Sequence, residues 1–140
     1  MNKENYPTWL VSPDIAKELK EIGFDEPCNH YVRISNDDIK LKINHSSIGW
    51  VILKRNSEYL NDDIASFVTI PTWEQALAWF RAKDYYGNLE ATSKGTSAYI
   101  YVPFLDQGTS WDIAYKESYE EVRKILLLKL IDIYKISKLK

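Results

Sequence analysis

Few side chains in this sequence have the chemistry of a catalytic or metal-binding site, and the best candidates lie close together. Cys28, His30 and His45 are the one cysteine and the two histidines of the chain. A cysteine beside a histidine can act as a nucleophile, and the three side chains together could ligate zinc. Their spacing matches neither a CxxC or HxxxH ligand pattern nor the surroundings of a known nucleophile. The sequence therefore predicts no catalytic residue, no metal site and no cofactor.

Acidic pairs and one glycine-containing turn are the other candidates for chemistry. Asp37–Asp38 and Asp62–Asp63 lie in polar stretches without the alternating carboxylates and closing glutamate of a calcium loop. The segment SKGTS has one glycine and no helix after it, whereas a phosphate-binding loop needs a glycine-rich turn that opens a helix. We interpret all three segments as turns.

Aromatic side chains are far more prominent, with 5 Trp and 10 Tyr in 140 residues. The segment TWEQALAWFRAK predicts a helix whose apolar stripe runs from Trp73 to Phe80, and Trp79 lies well outside that stripe. One interpretation, which we favour, is that Trp79 packs against the first or the last helix. The other is that Trp79, Tyr85 and Tyr86 form an aromatic binding patch, because Trp and Tyr dominate binding hot spots.

Three helices must position these side chains. Ser12 is a good N-cap before a proline, and Gly23 suits the left-handed position that ends a helix. Apolar periodicity and capping residues predict helices over 13–22, 72–83 and 119–136.

Strands fill the rest of the chain. YVRIS and IKLKI alternate apolar and polar residues around Asn36–Asp38, which predicts a hairpin, and IGWVIL predicts a strand buried on both faces. A short strand before Pro71 and three strands after Lys83 follow. This order predicts a single α+β domain over residues 1–140, with one antiparallel sheet and about three helices packed on it. The predicted core comprises Leu19, Ile22, Trp50, Ile52, Trp73, Leu77, Phe80, Ile100, Val122, Leu126, Leu130 and Ile133.

The last predicted helix is apolar around more than half of its circumference, and Leu128 stands apart from its main stripe. A helix of this kind is packed on two sides. We therefore predict a homodimer through the Leu128 side of the helix, since a twofold dimer is the commonest closed assembly.

Charge and composition exclude several classes of partner. The net charge of −2, from 18 basic and 20 acidic residues, provides no basic field for nucleic acid. A single cysteine suits a reducing compartment, and no segment has the apolar length of a signal peptide or a membrane span. We expect a cytoplasmic protein that binds neither nucleic acid nor membranes.

The order α-β-β-β-α from Trp73 to Ile136 is similar to that of double-stranded RNA-binding domains. Those domains place lysines at the start of the second helix, where this sequence has Glu117, Glu120 and Glu121. The last strand and KESYEEVRKILLLKLI also resemble the β-to-helix part of HicB-type antitoxins. These resemblances imply an alternative function, a nucleic-acid-associated or antitoxin-like module.

Three blocks taken together resemble a group of small proteins encoded in gut-bacterial genomes and in their phages or other mobile elements. They are SPDIAKELKEIGFDEPC (Ser12–Cys28), PTWEQALAWFRAK (Pro71–Lys83) and YKESYEEVRKILLLKLIDIY (Tyr115–Tyr134). The group has no established activity, so the resemblance implies a context, a phage or mobile-element accessory protein, and no site residues. Together with the scarcity of catalytic side chains, it makes a non-enzymatic binding protein with a protein partner our leading hypothesis.

Overall fold

The computed structural model describes residues 6–35, 38–59, 66–105, 109–116 and 118–139. The chain divides into two compact units, Met1–Trp73 and Glu74–Lys140. In chain order, the helices and strands of the described residues are α1 (Pro13–Glu21), β1 (His30–Ser35), β2 (Asp38–Ile43), β3 (Ser66–Ile70), α2 (Trp73–Arg81), β4 (Tyr86–Thr92), β5 (Gly95–Val102), β6 (Thr109–Lys116) and α3 (Tyr119–Lys138).

The α+β class is confirmed, with helices near the three predicted ranges and antiparallel strand pairing. The strands form two three-stranded sheets, ordered β2-β1-β3 and β4-β5-β6, where the sequence predicted one sheet. The order α2-β4-β5-β6-α3 reproduces the predicted α-β-β-β-α segment. The boundary of a single domain over residues 1–140 stays a prediction.

The first unit packs α1 beside β3, and both ends of α1 are formed by the predicted capping residues. The Ser12 side chain accepts a hydrogen bond from the backbone N–H of Ile15. At the other end, Gly23 has a φ of +103° and the Phe24 N–H donates to the Leu19 carbonyl at 2.9 Å. These bonds satisfy backbone groups that a helix end leaves unpaired. The core of this unit comprises Leu10, Val11, Ile15, Ala16, Leu19, Phe24, Cys28, Val32, Val68 and Ile70.

The second unit packs α3 against all three strands of the sheet β4-β5-β6. Gly87 allows the helix to approach closely, since a Cβ atom at that position would lie 2.8 Å from Leu130 Cδ1 and 3.3 Å from Leu126 Cδ1. The predicted wide apolar coverage of α3 is confirmed, because Leu127 and Ile131 are buried as well as Val122, Leu126, Leu130 and Ile133. The core of this unit comprises Ala76, Leu77, Trp79, Phe80, Tyr85, Ala98, Ile100, Val102, Val122, Leu126, Leu127, Leu130, Ile131 and Ile133.

The predicted core is confirmed at most of its positions and wrong at one. The residues confirmed as buried are Leu19, Leu77, Phe80, Ile100, Val122, Leu126, Leu130 and Ile133. Ile22, Ile52 and Trp73 are half-buried, and the Trp73 indole N–H donates to the Thr8 carbonyl at 2.9 Å. Trp50 is 70% exposed.

The prediction that IGWVIL forms a buried strand is wrong, because the backbone reverses direction within it. The Ser46 N–H donates to the Trp50 carbonyl at 2.7 Å, and Gly49 takes a left-handed φ of +89°. The segment then pairs only through isolated bridges, His45 with Val51 and Cys28 with Lys54. A run of apolar residues that contains a tight turn cannot place all its side chains in a sheet interior.

Candidate functional site

Among the described residues of the first unit, the most exposed cluster of large apolar side chains lies on this turn. Ile48, Trp50, Val51 and Leu53 are 78%, 70%, 55% and 57% exposed, and we call these four residues the apolar tip. The ten residues from Asn44 to Leu53 contain no Asp, Glu, Lys or Arg. Isolated exposed apolar residues are ordinary, whereas a contiguous group of this size is typical of an interaction surface.

A network of buried hydrogen bonds holds the base of the apolar tip. Asn44 is 5% exposed. Its Nδ2 group donates to the Cys28 carbonyl at 3.2 Å, and its Oδ1 accepts from the Tyr59 hydroxyl at 2.7 Å. The backbone groups of Cys28 and Lys54 exchange two hydrogen bonds at 2.8 and 2.9 Å, and the Ile52 N–H donates to the Asn44 carbonyl. The hydrogen bonds that hold the base of the tip are therefore made by Asn44, Tyr59 and backbone groups, and none of them involves a side chain of the tip.

A second buried asparagine organises the chain just after the tip. Asn56 is 8% exposed, and its Nδ2 group donates to the Phe24 carbonyl at 2.9 Å while its Oδ1 accepts from the Thr69 N–H at 2.9 Å. The sequence analysis missed Asn44 and Asn56, because each lies in a short polar segment and shows no apolar periodicity. Each of these polar segments follows an apolar segment and contains turn residues, and that position is the one signal that could have indicated a buried asparagine.

The cysteine and the two histidines lie in different environments. Cys28 is 1% exposed, and burial raises the pKa of its thiol to about 11, so the thiol stays protonated and unreactive at neutral pH. Burial lowers the pKa of His30, whose ring meets Trp9 edge-on at 5.2 Å. His45 is exposed. Within the described ranges, no three His, Cys, Asp or Glu residues are grouped as metal ligands.

Trp79 is buried, as the packing interpretation predicts. It is 7% exposed, and its ring lies 5.0 Å from Phe80 and 5.2 Å from Tyr134 of α3. Lys83 Nζ lies 4.7 Å from the ring centre on the remaining side. Of the two helices predicted as packing partners of Trp79, the first and the last, the structure shows contact with the last.

Tyr85 and Tyr86 point to different environments although they are adjacent. Asp84 ends the turn after α2 with a left-handed φ of +67°, which aspartate tolerates better than most residues. Tyr85 is 1% exposed and its hydroxyl is hydrogen-bonded to Ser137 Oγ. Tyr86 is half-buried at the start of β4, and its hydroxyl donates to Asp84 at 2.8 Å. Of the three residues assigned to a binding patch, Trp79 and Tyr85 are buried and Tyr86 is half-buried. The assignment to a binding patch stays a prediction.

The start of α3 has the charge that the sequence predicted. Glu120 and Glu121 are exposed in its first turn, where they favour the positive end of the helix dipole, and Glu117 lies outside the described residues. Two carboxylates at this position would repel phosphates. The likeness in element order to double-stranded RNA-binding domains therefore comes without their phosphate-binding chemistry at these positions.

Comparisons with known proteins found no match to a protein family, to a curated protein or to a solved structure. A separate feature concerns membranes. Among the helices of the described residues, none combines the length and the apolar character needed to cross a lipid bilayer.

Proposed function

We propose that this chain is a non-enzymatic binding protein that contacts a protein partner through the apolar tip. The observation that carries the proposal is the exposure of Ile48, Trp50, Val51 and Leu53 on a base that is hydrogen-bonded independently of them. Burying a large apolar side chain contributes about 1.5–3 kcal/mol, and the fold leaves that contribution unused at the tip. A partner surface recovers it.

The chemistry of the tip defines the kind of partner. A segment without charges from Asn44 to Leu53 fits an apolar, uncharged concave surface on a folded protein, with Trp50 as the anchor. Nucleic acid is a poor fit, because its affinity comes from lysine and arginine contacts to phosphates. The proposal therefore favours a protein partner over the antitoxin-like alternative.

The proposed context is that of a cytoplasmic accessory protein encoded by a phage or another mobile element. Support comes from the resemblance of the three sequence blocks and from the single cysteine, which suits a reducing compartment. A homodimer through the Leu128 side of α3 is a further part of the proposal. Leu128 is half-buried, and Ile136 and Leu139 nearby in sequence are 57% and 86% exposed.

The proposal is tested by affinity capture from lysogenic or infected bacterial cells with two matched variants. Trp50→Ala removes the anchor of the tip, and Trp9→Ala removes another exposed tryptophan of the same unit. We expect a protein that is captured by the wild type and by Trp9→Ala and is lost with Trp50→Ala. Capture that is equal for both variants would contradict the role of the tip.

Two solution measurements separate the remaining alternatives. Light scattering over a concentration series tests the homodimer, with Leu128→Lys as the variant that should stay monomeric. Titration with duplex RNA and DNA at increasing salt tests the alternative function, since phosphate contacts produce a steep loss of affinity with salt. Steep salt-dependent binding that survives Trp50→Ala would favour the nucleic-acid module instead.

A further inference from the structure

The second unit carries a different exposed surface, on the face of its sheet opposite α3. Along β5, Ala98, Ile100 and Val102 are buried, whereas Tyr99 and Tyr101 between them are 42% and 41% exposed. Alternate residues of a strand point to opposite faces, so these tyrosines lie on the uncovered face. With Tyr86 on β4 and Tyr115 on β6 they form what we call the tyrosine face: Tyr86, Tyr99, Tyr101 and Tyr115.

Strand pairing places these rings side by side. Tyr86 is the direct partner of Tyr101 in the antiparallel ladder, and their rings are stacked at 6.4 Å with an angle of 29° between planes. Tyr115 is 60% exposed, pairs with Ser97, and donates from its hydroxyl to the Lys94 carbonyl at 2.8 Å. The Tyr86 and Tyr115 rings are thus held by hydrogen bonds of their hydroxyls, and the Tyr101 ring stacks on that of Tyr86.

The same face is acidic. Asp112 is the ladder partner of Tyr99, and Glu90 is the partner of Ser97, so both carboxylates share the face with the tyrosines. Both are exposed, and Asp84 adds a third carboxylate beside the Tyr86 hydroxyl. The described positions that the ladder assigns to this face include no lysine or arginine; they are Tyr86, Asn88, Glu90, Thr92, Gly95, Ser97, Tyr99, Tyr101, Ser110, Asp112 and Tyr115.

This combination selects for cations. A tyrosine ring attracts lysine or arginine through its electron-rich face, and a neighbouring carboxylate pairs with the same group. Nucleic acid could stack on exposed rings, but Glu90 and Asp112 would oppose its phosphates. A three-stranded sheet is about 10 Å across between its outer strands and suits an extended peptide, which presents every second side chain to it.

We propose that the tyrosine face binds an extended segment of a partner protein that carries arginine or lysine at alternate positions. This inference does not depend on the apolar tip, which lies in the other unit and has the opposite chemistry. Arginine is favoured because its planar guanidinium both stacks on a ring and pairs with a carboxylate.

The test is a two-dimensional ¹⁵N NMR titration of the full chain with a short, end-capped peptide of alternating arginine and serine. We expect the amide shifts to move along β4, β5 and β6. Tyr99→Ala should weaken binding about two- to fivefold, which is the range of an exposed cation–π contact. Asp112→Asn should weaken it and reduce its dependence on salt, because screening acts on the lost ion pair. Both residues are exposed, and circular dichroism verifies that each variant is folded.

Matched controls separate a specific site from general attraction to an acidic protein. Asp132→Asn removes the same charge from an exposed position on α3, and Tyr119→Ala removes a tyrosine that is 39% exposed on α3. Both should bind the peptide as the wild type does. Three outcomes would overturn the proposal: equal weakening by Asp112→Asn and Asp132→Asn, equal binding of a control peptide of alternating glutamate and serine, or tighter binding of single-stranded nucleic acid that Tyr99→Ala abolishes. Failure of the apolar tip to capture a partner has no bearing on these results.

Discussion

Trp50 in the first unit and Trp79 in the second unit lie in apolar segments of similar length, yet one is 70% exposed and the other 7% exposed. The backbone hydrogen bonds of the helix around Trp79 are made within the helix itself. Its side chains can therefore project on more than one side, and Trp79 packs against α3 although it lies outside the main apolar stripe. The segment around Trp50 bonds its backbone through one tight turn and two isolated bridges. The difference shows that apolar content alone does not decide burial. An apolar segment is buried where its backbone hydrogen bonds are made within a regular element, one face of which can pack against the rest of the unit.

The sharpest test of this comparison replaces each tryptophan with alanine. Trp79→Ala should lower the free energy of unfolding by about 3–5 kcal/mol, because it removes ring contacts to Phe80 and Tyr134 in a packed cluster. Trp50→Ala should change it by less than about 0.5 kcal/mol, since its ring lies in water. Urea denaturation measures both values. Similar losses for the two variants would mean that the tip contributes to the core.

The next largest effect concerns α3. Leu126 is fully buried at 0% exposure, and Leu126→Ala should cost about 2–5 kcal/mol through lost contacts and a residual cavity. Leu139→Ala at the end of the same helix removes the same atoms from a side chain that is 86% exposed, and serves as the control. Thermal denaturation of the two proteins should differ by several degrees. A neutral Leu126→Ala would show that another face of α3 is buried.

Two glycines extend the comparison to the backbone. Gly87→Ala should destabilise the second unit by about 1–3 kcal/mol, because the new Cβ meets Leu130 at 2.8 Å and overpacks the contact with α3. Gly49→Ala meets no atom within 4 Å but forces alanine into a φ of +89°, which costs about 1–2 kcal/mol. A Leu130→Ala background should relieve the first effect and leave the second unchanged, as chemical denaturation would reveal.

A pH-dependent effect comes from the titration of Cys28 at the base of the apolar tip. Its folded pKa of about 11 lies above its ordinary value of 9.0, so the folded state holds the proton more tightly than the unfolded state. The associated stability is fully present below pH 9 and is lost as the pH rises through about 11. Stability measured against alkaline pH should show this decline, and Cys28→Ala should reduce it.

Alkylation of Cys28 gives a kinetic view of the same residue. At pH 8 we expect iodoacetamide to react slowly in the native protein and rapidly in urea, since the thiol is buried and protonated. Fast native labelling without loss of the far-ultraviolet circular dichroism signal would show that the base of the tip opens locally, independently of the second unit.

Much of the fold could be predicted from the sequence because its elements carry local signals. Ser12 and Gly23 mark the ends of α1, and the capping serine Ser118 accepts a hydrogen bond from the Glu121 N–H at the start of α3. The tyrosine face also had a signal, since SAYIYV alternates small or apolar residues with tyrosines and predicts one buried and one wet face.

The apolar tip was not predicted, because the apolar pattern conceals a local turn at Ser46–Trp50 and because distant residues hold its base. The pattern of IGWVIL is that of a buried strand, and the outcome depends on Asn44 bonding to Cys28 and Tyr59, which are distant in sequence. The division of the strands into two sheets has the same origin, since which strands pair is a property of long-range register. For Trp79, helical geometry predicted only a direction away from the main stripe, and the favoured interpretation of packing against another helix agrees with its burial.

The hydrogen bonds of Asn44 have a consequence for which positions of this protein can accept substitutions during evolution. Because the base of the tip is held by Asn44 and by backbone groups, substitutions at positions 48, 50, 51 and 53 carry almost no folding penalty. Those four positions can therefore diversify rapidly to match a changing partner, while Asn44 and Gly49 cannot. The same separation means that these four positions can be randomised in a display library of this protein, provided that Cys28, Asn44 and Tyr59 are kept as the support.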